Sequence, residues 1–75
     1  MNWREHITVD PAVCHGAACF KGTRIMVAVV LDNLARSIDV REILASYPQL
    51  TEGAIQAAIA YAADLARERI RSMPA

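Results

Sequence analysis

The chain has 75 residues, eight acidic and eight basic side chains, and a hydrophobic fraction of 55%. A net charge of zero provides no overall attraction to nucleic acid, whose binding domains are usually basic. A chain this short forms one domain, and its core contributes only about 3–5 kcal/mol without further staples. The apolar surface exceeds what such a core can bury, which favours a homodimer.

The apolar residues form no run as long as a signal peptide or a membrane span, so no membrane association is expected. The chain contains two cysteines, too few for a disulfide framework. Together these features predict a cytoplasmic protein with reduced thiols.

Residues 1–25 are predicted to form a β-hairpin arm. Apolar and polar residues alternate over residues 6–9, which predicts a short strand that ends at Asp10-Pro11. Cys19-Phe20 is predicted to be the returning strand. Because an isolated two-stranded hairpin is marginal in water, we expect the arm to lie on the helices or to pair with the hairpin of a second subunit.

Residues 19–27 connect this arm to a helical body. Gly22 permits a backbone turn that other residues disfavour. Thr23 and Arg24 place a hydroxyl group and a guanidinium at that turn. We therefore expect this segment to determine how the hairpin meets the helices.

Two helices are predicted after this turn. Apolar residues at i, i+3, i+4 and i+7 from Val27 predict a first helix that ends at Arg36. Asp39 has the position of an N-cap, with Glu42 three residues later. This second helix is expected to be short, because Pro48 disfavours helical geometry in the residue before it.

A third helix is predicted to begin after the N-cap Thr51 and to extend for about 20 residues, or about 30 Å. It is far longer than the second helix, so we expect its second half to project beyond the compact body. The residues expected to line its inward face are Ile55, Ile59, Ala62 and Ala66, flanked by Ala58, Tyr61 and Leu65.

The predicted elements describe a single domain over residues 1–75, mainly α, with a hairpin arm (1–25) and a three-helix body (26–72). A tight turn between the second and third helices is typical of a helix-turn-helix core.

Several motifs occur in the order typical of a small bacterial and archaeal family, domain of unknown function 433, which the chain resembles from about Trp3 to Leu65. They are Asp10-Pro11, Lys21-Gly22-Thr23-Arg24-Ile25, Tyr47-Pro48 and Leu50-Thr51. The resemblance implies a homeodomain-like or winged-helix-like three-helix domain with an N-terminal β-hairpin. It also implies an antitoxin that neutralises a PIN-type nuclease-like toxin encoded nearby and binds its own operator DNA.

The chain departs from the family pattern at four positions. Ala18 and Met26 stand where proline is usual, and Ser37 lies near a position that is commonly glycine. Gly53 replaces a polar or acidic residue, which slightly weakens the start of the third helix. None of these changes removes a chemical group, so they affect rigidity rather than membership.

Candidate DNA contacts lie at the turn and on the helices. Arg24 either ties the hairpin to the helices or, with Lys21, contacts phosphate. On the third helix Gln56 can read adenine, but Glu52 repels phosphate. The candidate DNA-binding residues are Lys21, Thr23, Arg24, Arg41, Thr51 and Gln56.

The end of the third helix carries candidate partner-binding residues. Arg67 and Arg71 are four residues apart, close to Leu65 and Ile70. The arginines are either a solvated face or a docking surface for an acidic partner, with the two apolar residues as anchors.

No residues form a nucleophile–base–orienter set, so we predict a non-enzymatic protein without a cofactor. Cys14-His15 and Cys19 fit no strong zinc pattern, and Lys21-Gly22-Thr23 lacks the glycine spacing of a phosphate loop. A Cys14–Cys19 disulfide needs facing positions and an oxidising compartment, so two free thiols are favoured. The alternative function is a self-associating structural module with no nucleic-acid role.

Overall fold

The computed structural model describes residues 1–13 and 16–72, and it describes residues 68–72 by their backbone alone. Within these residues the chain is mostly helical, with an N-terminal two-stranded hairpin, which confirms the predicted fold class. The elements are a 3₁₀ turn (Trp3–Glu5), strands β1 (Ile7–Thr8) and β2 (Cys19–Phe20), and helices α1 (Val27–Ala35), α2 (Val40–Ser46) and α3 (Glu52–Ser72). The 3₁₀ turn was not predicted from the sequence pattern.

The hairpin is antiparallel, with Ile7 opposite Phe20 and Thr8 opposite Cys19. Its first strand is shorter than predicted and ends before Val9, which is 52% exposed. Ile7 and Phe20 are each only 2% exposed. The hairpin therefore buries its apolar side chains on the helical body, which is the first of the two arrangements expected for it.

Helix α1 begins at Val27, as predicted, and ends at Ala35, one residue before the predicted end; Val27 and Val30 on its inward face are buried. The helix ends in a Schellman motif. The N–H of Ile38 donates to the carbonyl of Asn33, and the N–H of Ser37 donates to that of Leu34, both at 3.0 Å. Ser37 has a φ of 65°, which is the left-handed conformation that glycine usually supplies at this position.

The two predicted N-caps are confirmed. The Asp39 carboxylate accepts a hydrogen bond of 2.9 Å from the N–H of Glu42, at the start of α2. The Thr51 hydroxyl accepts one of 3.1 Å from the N–H of Ala54, at the start of α3. Each cap satisfies a backbone donor that has no partner within its helix.

The inward face of α3 differs from the prediction, which placed Ile59 and Ala66 inside. Ile59 is 43% exposed and Ala66 is exposed. The buried stripe instead runs along the first turns of α3, a helix that contacts the 3₁₀ turn, α1, α2 and β1, and three of its four residues are alanines. Small side chains allow these elements to pack closely. The buried α3 residues are Ala54, Ile55, Ala57 and Ala58.

Candidate nucleic-acid and partner-binding surfaces

The turn that follows β2 is closed by four hydrogen bonds over residues 20–25. Phe20 and Ile25 are joined by a backbone bond of 3.0 Å, and the N–H of Thr23 donates to the Phe20 carbonyl. The Thr23 hydroxyl donates to the same carbonyl at 2.9 Å and accepts from the N–H of Ile25 at 3.0 Å. Gly22 has a φ of 77°, which this tight turn requires. Thr23 thus holds the turn, and its contact with DNA stays a prediction.

An open groove of about 750 Å³ lies beside this turn, and we call it the hinge groove. Lys21 and Arg24 are exposed along it and provide two positive charges. The groove brings the turn together with the loop between α2 and α3. Its lining residues are Thr8, Val13, Lys21, Gly22, Thr23, Arg24 and Gln49.

A smaller cavity of about 190 Å³ adjoins the hinge groove, because Lys21, Thr23 and Gln49 line both. Thr51 lies on its wall, so four of the six predicted DNA contacts surround one surface. The sequence pattern missed Gln49, which is far from the turn in the chain and has no local signal of its own.

The two other predicted DNA contacts lie elsewhere. Arg41 lines a separate groove together with two acidic residues, Asp39 and Glu52. Gln56 is exposed on α3, one turn after Glu52. The structure therefore does not bring these two residues into the hinge groove, and the acidic start of α3 disfavours an approach of phosphate.

Five residues join the N-terminal segment to the middle of α3, and we call them the Trp3 clamp. The indole N–H of Trp3 donates a hydrogen bond of 2.6 Å to Asp64. The Trp3 ring meets Tyr61 edge-on, with 4.8 Å between ring centroids and 79° between planes. The Arg4 guanidinium lies 4.4 Å above the Trp3 ring, and Arg67 forms an ion pair with Asp64.

The clamp places the Asp64 carboxylate among donors and positive charge. The pKa of Asp64 is below its ordinary value, first because the Trp3 indole donates to it and then because Arg67 does. The charge of Arg4 lowers the pKa further, whereas desolvation opposes these effects. The clamp therefore holds a charged carboxylate between two arginines.

The predicted partner-binding residues are only partly within the described side chains. Leu65 is 43% exposed, and the side chain of Arg67 is 65% exposed although it pairs with Asp64. Ile70 and Arg71 lie outside the residues whose side chains are described. Leu65 is thus accessible on α3 close to Arg67, the exposed arginine of the clamp.

A family described as "Protein of unknown function (DUF433)" matches residues 7–62 of the chain. The chain belongs to this family. The match is shorter at both ends than the resemblance indicated, and Trp3, Arg4, Asp64 and Arg67 of the clamp lie outside it. No curated protein and no solved structure matches the chain.

The cysteines of this DUF433 protein were predicted to be reduced. Cys19 is fully buried and disulfide-bonded, so that prediction is wrong for this residue. A disulfide requires Cα atoms about 4.4–6.8 Å apart, and a chain that turns back in a hairpin meets this requirement more readily than spacing alone suggests. Cys14, like His15, lies outside the described residues.

Two further findings concern the described part of this DUF433 protein. No three His, Cys, Asp or Glu side chains there come together as a group that could hold a metal ion. None of the described helices combines the length and hydropathy needed to cross a membrane.

Proposed function

We propose that this DUF433 protein is an antitoxin-like binding protein. It neutralises a PIN-type nuclease-like toxin encoded nearby and binds its own operator DNA. The observation that carries the proposal is the surface on the second half of α3, where an exposed leucine, Leu65, adjoins an exposed arginine, Arg67. An apolar anchor beside a cation on a helix is typical of helices that dock in a partner's groove.

The toxin half of the proposal is tested by co-purification with the product of the adjacent gene. We expect a stable complex, and we expect Leu65→Asp to weaken it at least about tenfold, because burying a carboxylate in an apolar contact is costly. The matched control is Val9→Asp, since Val9 is 52% exposed and directly follows β1 in the N-terminal arm. Absence of a complex, with no nuclease-like neighbour encoded, contradicts this half.

The operator half rests on Lys21 and Arg24, the two cations of the hinge groove. Binding to the region upstream of the gene is measured over a series of salt concentrations. Each phosphate contact contributes about 0.9 to the slope of log K against log salt, so Lys21→Ala is expected to reduce the slope by about 1. Arg36→Ala serves as the control, and a slope near zero for the wild type means that no phosphate is engaged.

A second candidate function is a self-associating structural module with no nucleic-acid role. Two features favour it, namely the 43% exposure of Ile59 and the position of Glu52 at the start of α3. Both candidates are non-enzymatic and involve a homodimer, which sedimentation measures. If the protein is only a structural module, charge reversal at Lys21 and Arg24 leaves its phenotype intact. If it binds operator DNA, the same change is expected to abolish that phenotype.

We also propose a cytoplasmic location for the protein. Disulfides are rare in the cytosol, where thiols are kept reduced. The disulfide of Cys19 is therefore the feature of the structure that counts against this location. Alkylation of thiols in freshly lysed cells, followed by mass spectrometry, measures its state, and a Cys19 that resists alkylation until a reductant is added contradicts the proposed location.

A further inference from the structure

The guanidinium of Arg4 lies over the Trp3 ring, 4.4 Å from its centroid. Stacking occupies the face of the guanidinium and leaves the N–H groups in its plane available. Within residues 1–13 and 16–67, these groups make no hydrogen bond or ion pair. Arg4 is therefore an ordered cation whose donors face solvent.

The second arginine of the clamp is held in a different way. Arg67 pairs with Asp64 through one of its terminal nitrogens, and a guanidinium has five N–H donors. Asp64 is also influenced by the charge of Arg4, which places both cations close to this one carboxylate. The cluster of Arg4, Asp64 and Arg67 therefore has an excess of one positive charge.

Leu65 completes the arrangement. It lies one helical turn after Tyr61, and Arg67 lies nearly one turn after Asp64. The pair Tyr61 and Leu65 and the pair Asp64 and Arg67 therefore form neighbouring ridges of α3. Trp3 contacts both Tyr61 and Asp64 and hence sits between these ridges. The exposed Leu65 thus lies next to Asp64 in the chain and one turn from Tyr61, the two residues of α3 that Trp3 contacts.

We propose that Arg4, Trp3, Leu65 and Arg67 form one composite docking surface, which binds an acidic, partly apolar face of the protein partner. The proposal rests on the proposed function, in which the partner docks on α3, and it adds the N-terminal segment to that interface. Charge complementarity favours partner carboxylates, because a guanidinium fork matches a carboxylate bidentately. The exposed apolar side chain of Leu65, next to Asp64 in the chain, favours a protein over a phosphate backbone, which has no apolar group to place there.

Preorganisation explains why the clamp promotes binding. An arginine side chain has about 2 kcal/mol of rotamer entropy, which is lost when a free side chain becomes ordered in an interface. The ring of Trp3 and the carboxylate of Asp64 order both arginines before the partner arrives. Binding then loses less entropy, which raises affinity without any additional contact.

The test measures the Kd of the complex with the product of the adjacent gene at low and high salt. Arg4→Ala and Arg67→Ala are each expected to raise the Kd about tenfold at low salt and less at high salt, because salt screens exposed charges. Arg36→Ala is the matched control, since Arg36 is an exposed arginine at the C-cap of α1. It is expected to change the Kd by less than about twofold. Circular dichroism confirms that each variant is folded.

A second readout uses Trp3, the only tryptophan of the chain. In the ¹⁵N-labelled protein it has a single indole N–H resonance, which we expect to shift when the unlabelled partner binds. Trp3→Phe keeps an aromatic ring for Arg4 and Tyr61 but removes the donor to Asp64, and we expect it to weaken binding less than Arg4→Ala does.

The outcomes separate this inference from the proposed function. If Leu65→Asp weakens the complex, but Arg4→Ala leaves the Kd unchanged and the indole N–H resonance does not shift on binding, the composite surface is overturned and the antitoxin proposal stands. No complex with the wild type overturns both. An indole shift caused by operator DNA, with none caused by the partner protein, makes the surface a nucleic-acid site and also overturns the inference.

Discussion

The indole N–H of Trp3 donates a 2.6 Å hydrogen bond to the carboxylate of Asp64, 61 residues away in the chain. This bond, with the edge-on contact between Trp3 and Tyr61, ties the N-terminal segment to the half of α3 that extends past the buried stripe. The sequence pattern indicates a projecting helix, and the clamp supports that helix from one side.

Acid is expected to weaken the clamp. The pKa of Asp64 in the folded protein lies below its ordinary value of 3.8, so in acid the unfolded chain binds the proton more readily than the folded one. The stability that Asp64 contributes is therefore present above pH 3.8 and is lost as the pH falls through the lower folded pKa. Urea unfolding followed by Trp3 fluorescence measures this loss.

The control for the acid effect is Asp64→Asn, which keeps an oxygen acceptor for Trp3 but does not titrate. Its stability is expected to be lower than that of the wild type at neutral pH, with the two values converging in acid as the wild-type carboxylate is protonated. A difference between wild type and variant that does not change with pH contradicts the assigned role of the Asp64 charge.

The Thr23 hydroxyl is expected to contribute to stability through the turn after β2. Thr23→Val preserves the shape of the side chain but leaves the Ile25 N–H without its acceptor, which costs about 1–3 kcal/mol. Thr23→Ser keeps the hydroxyl and is expected to lose much less. Both are measured by urea unfolding, and equal stability of the Val variant and the wild type would mean that water replaces the bond.

Ser37→Gly is expected to stabilise the protein. Ser37 holds a φ of 65° in the Schellman motif, which costs a residue with a Cβ about 1–2 kcal/mol. For a domain of this size, each 1 kcal/mol raises the Tm by about 4–8 °C. The matched control is Ser46→Gly in α2, which is expected to lower the Tm because glycine weakens a helix.

Gly53 lies against His6, and the two residues are expected to be energetically coupled. A Cβ at position 53 would be 3.3 Å from Cε1 of the His6 ring, closer than such contacts usually are. Alanine favours a helix over glycine by up to about 1 kcal/mol. Gly53→Ala should therefore stabilise the His6→Ala protein more than the wild type.

A double-mutant cycle measures this coupling, for which we expect about 0.5–1 kcal/mol. The family pattern puts a polar or acidic residue at position 53, and the His6 ring explains why glycine suits this chain. Equal effects of Gly53→Ala in both backgrounds contradict the proposed crowding.

The sequence predicted only part of the candidate nucleic-acid surface. Four of the six predicted DNA contacts, Lys21, Thr23, Arg24 and Thr51, surround one surface. Their neighbour Gln49 was not predicted, and Arg41 was grouped with them although it lies beside Glu52 in another groove. Spacing along the chain does not specify which loops come together, because that depends on how the hairpin packs on the helices.

The sequence by itself determined the elements whose causes are local. The caps at Asp39 and Thr51, the turn at Gly22 and the apolar period of α1 each depend on residues within about four positions of one another, and all of them are present in the structure. Only the tertiary structure decided that Ile59 faces outward and that Trp3 meets Asp64. Those outcomes depend on contacts between segments distant in the chain, where no local propensity selects the partner.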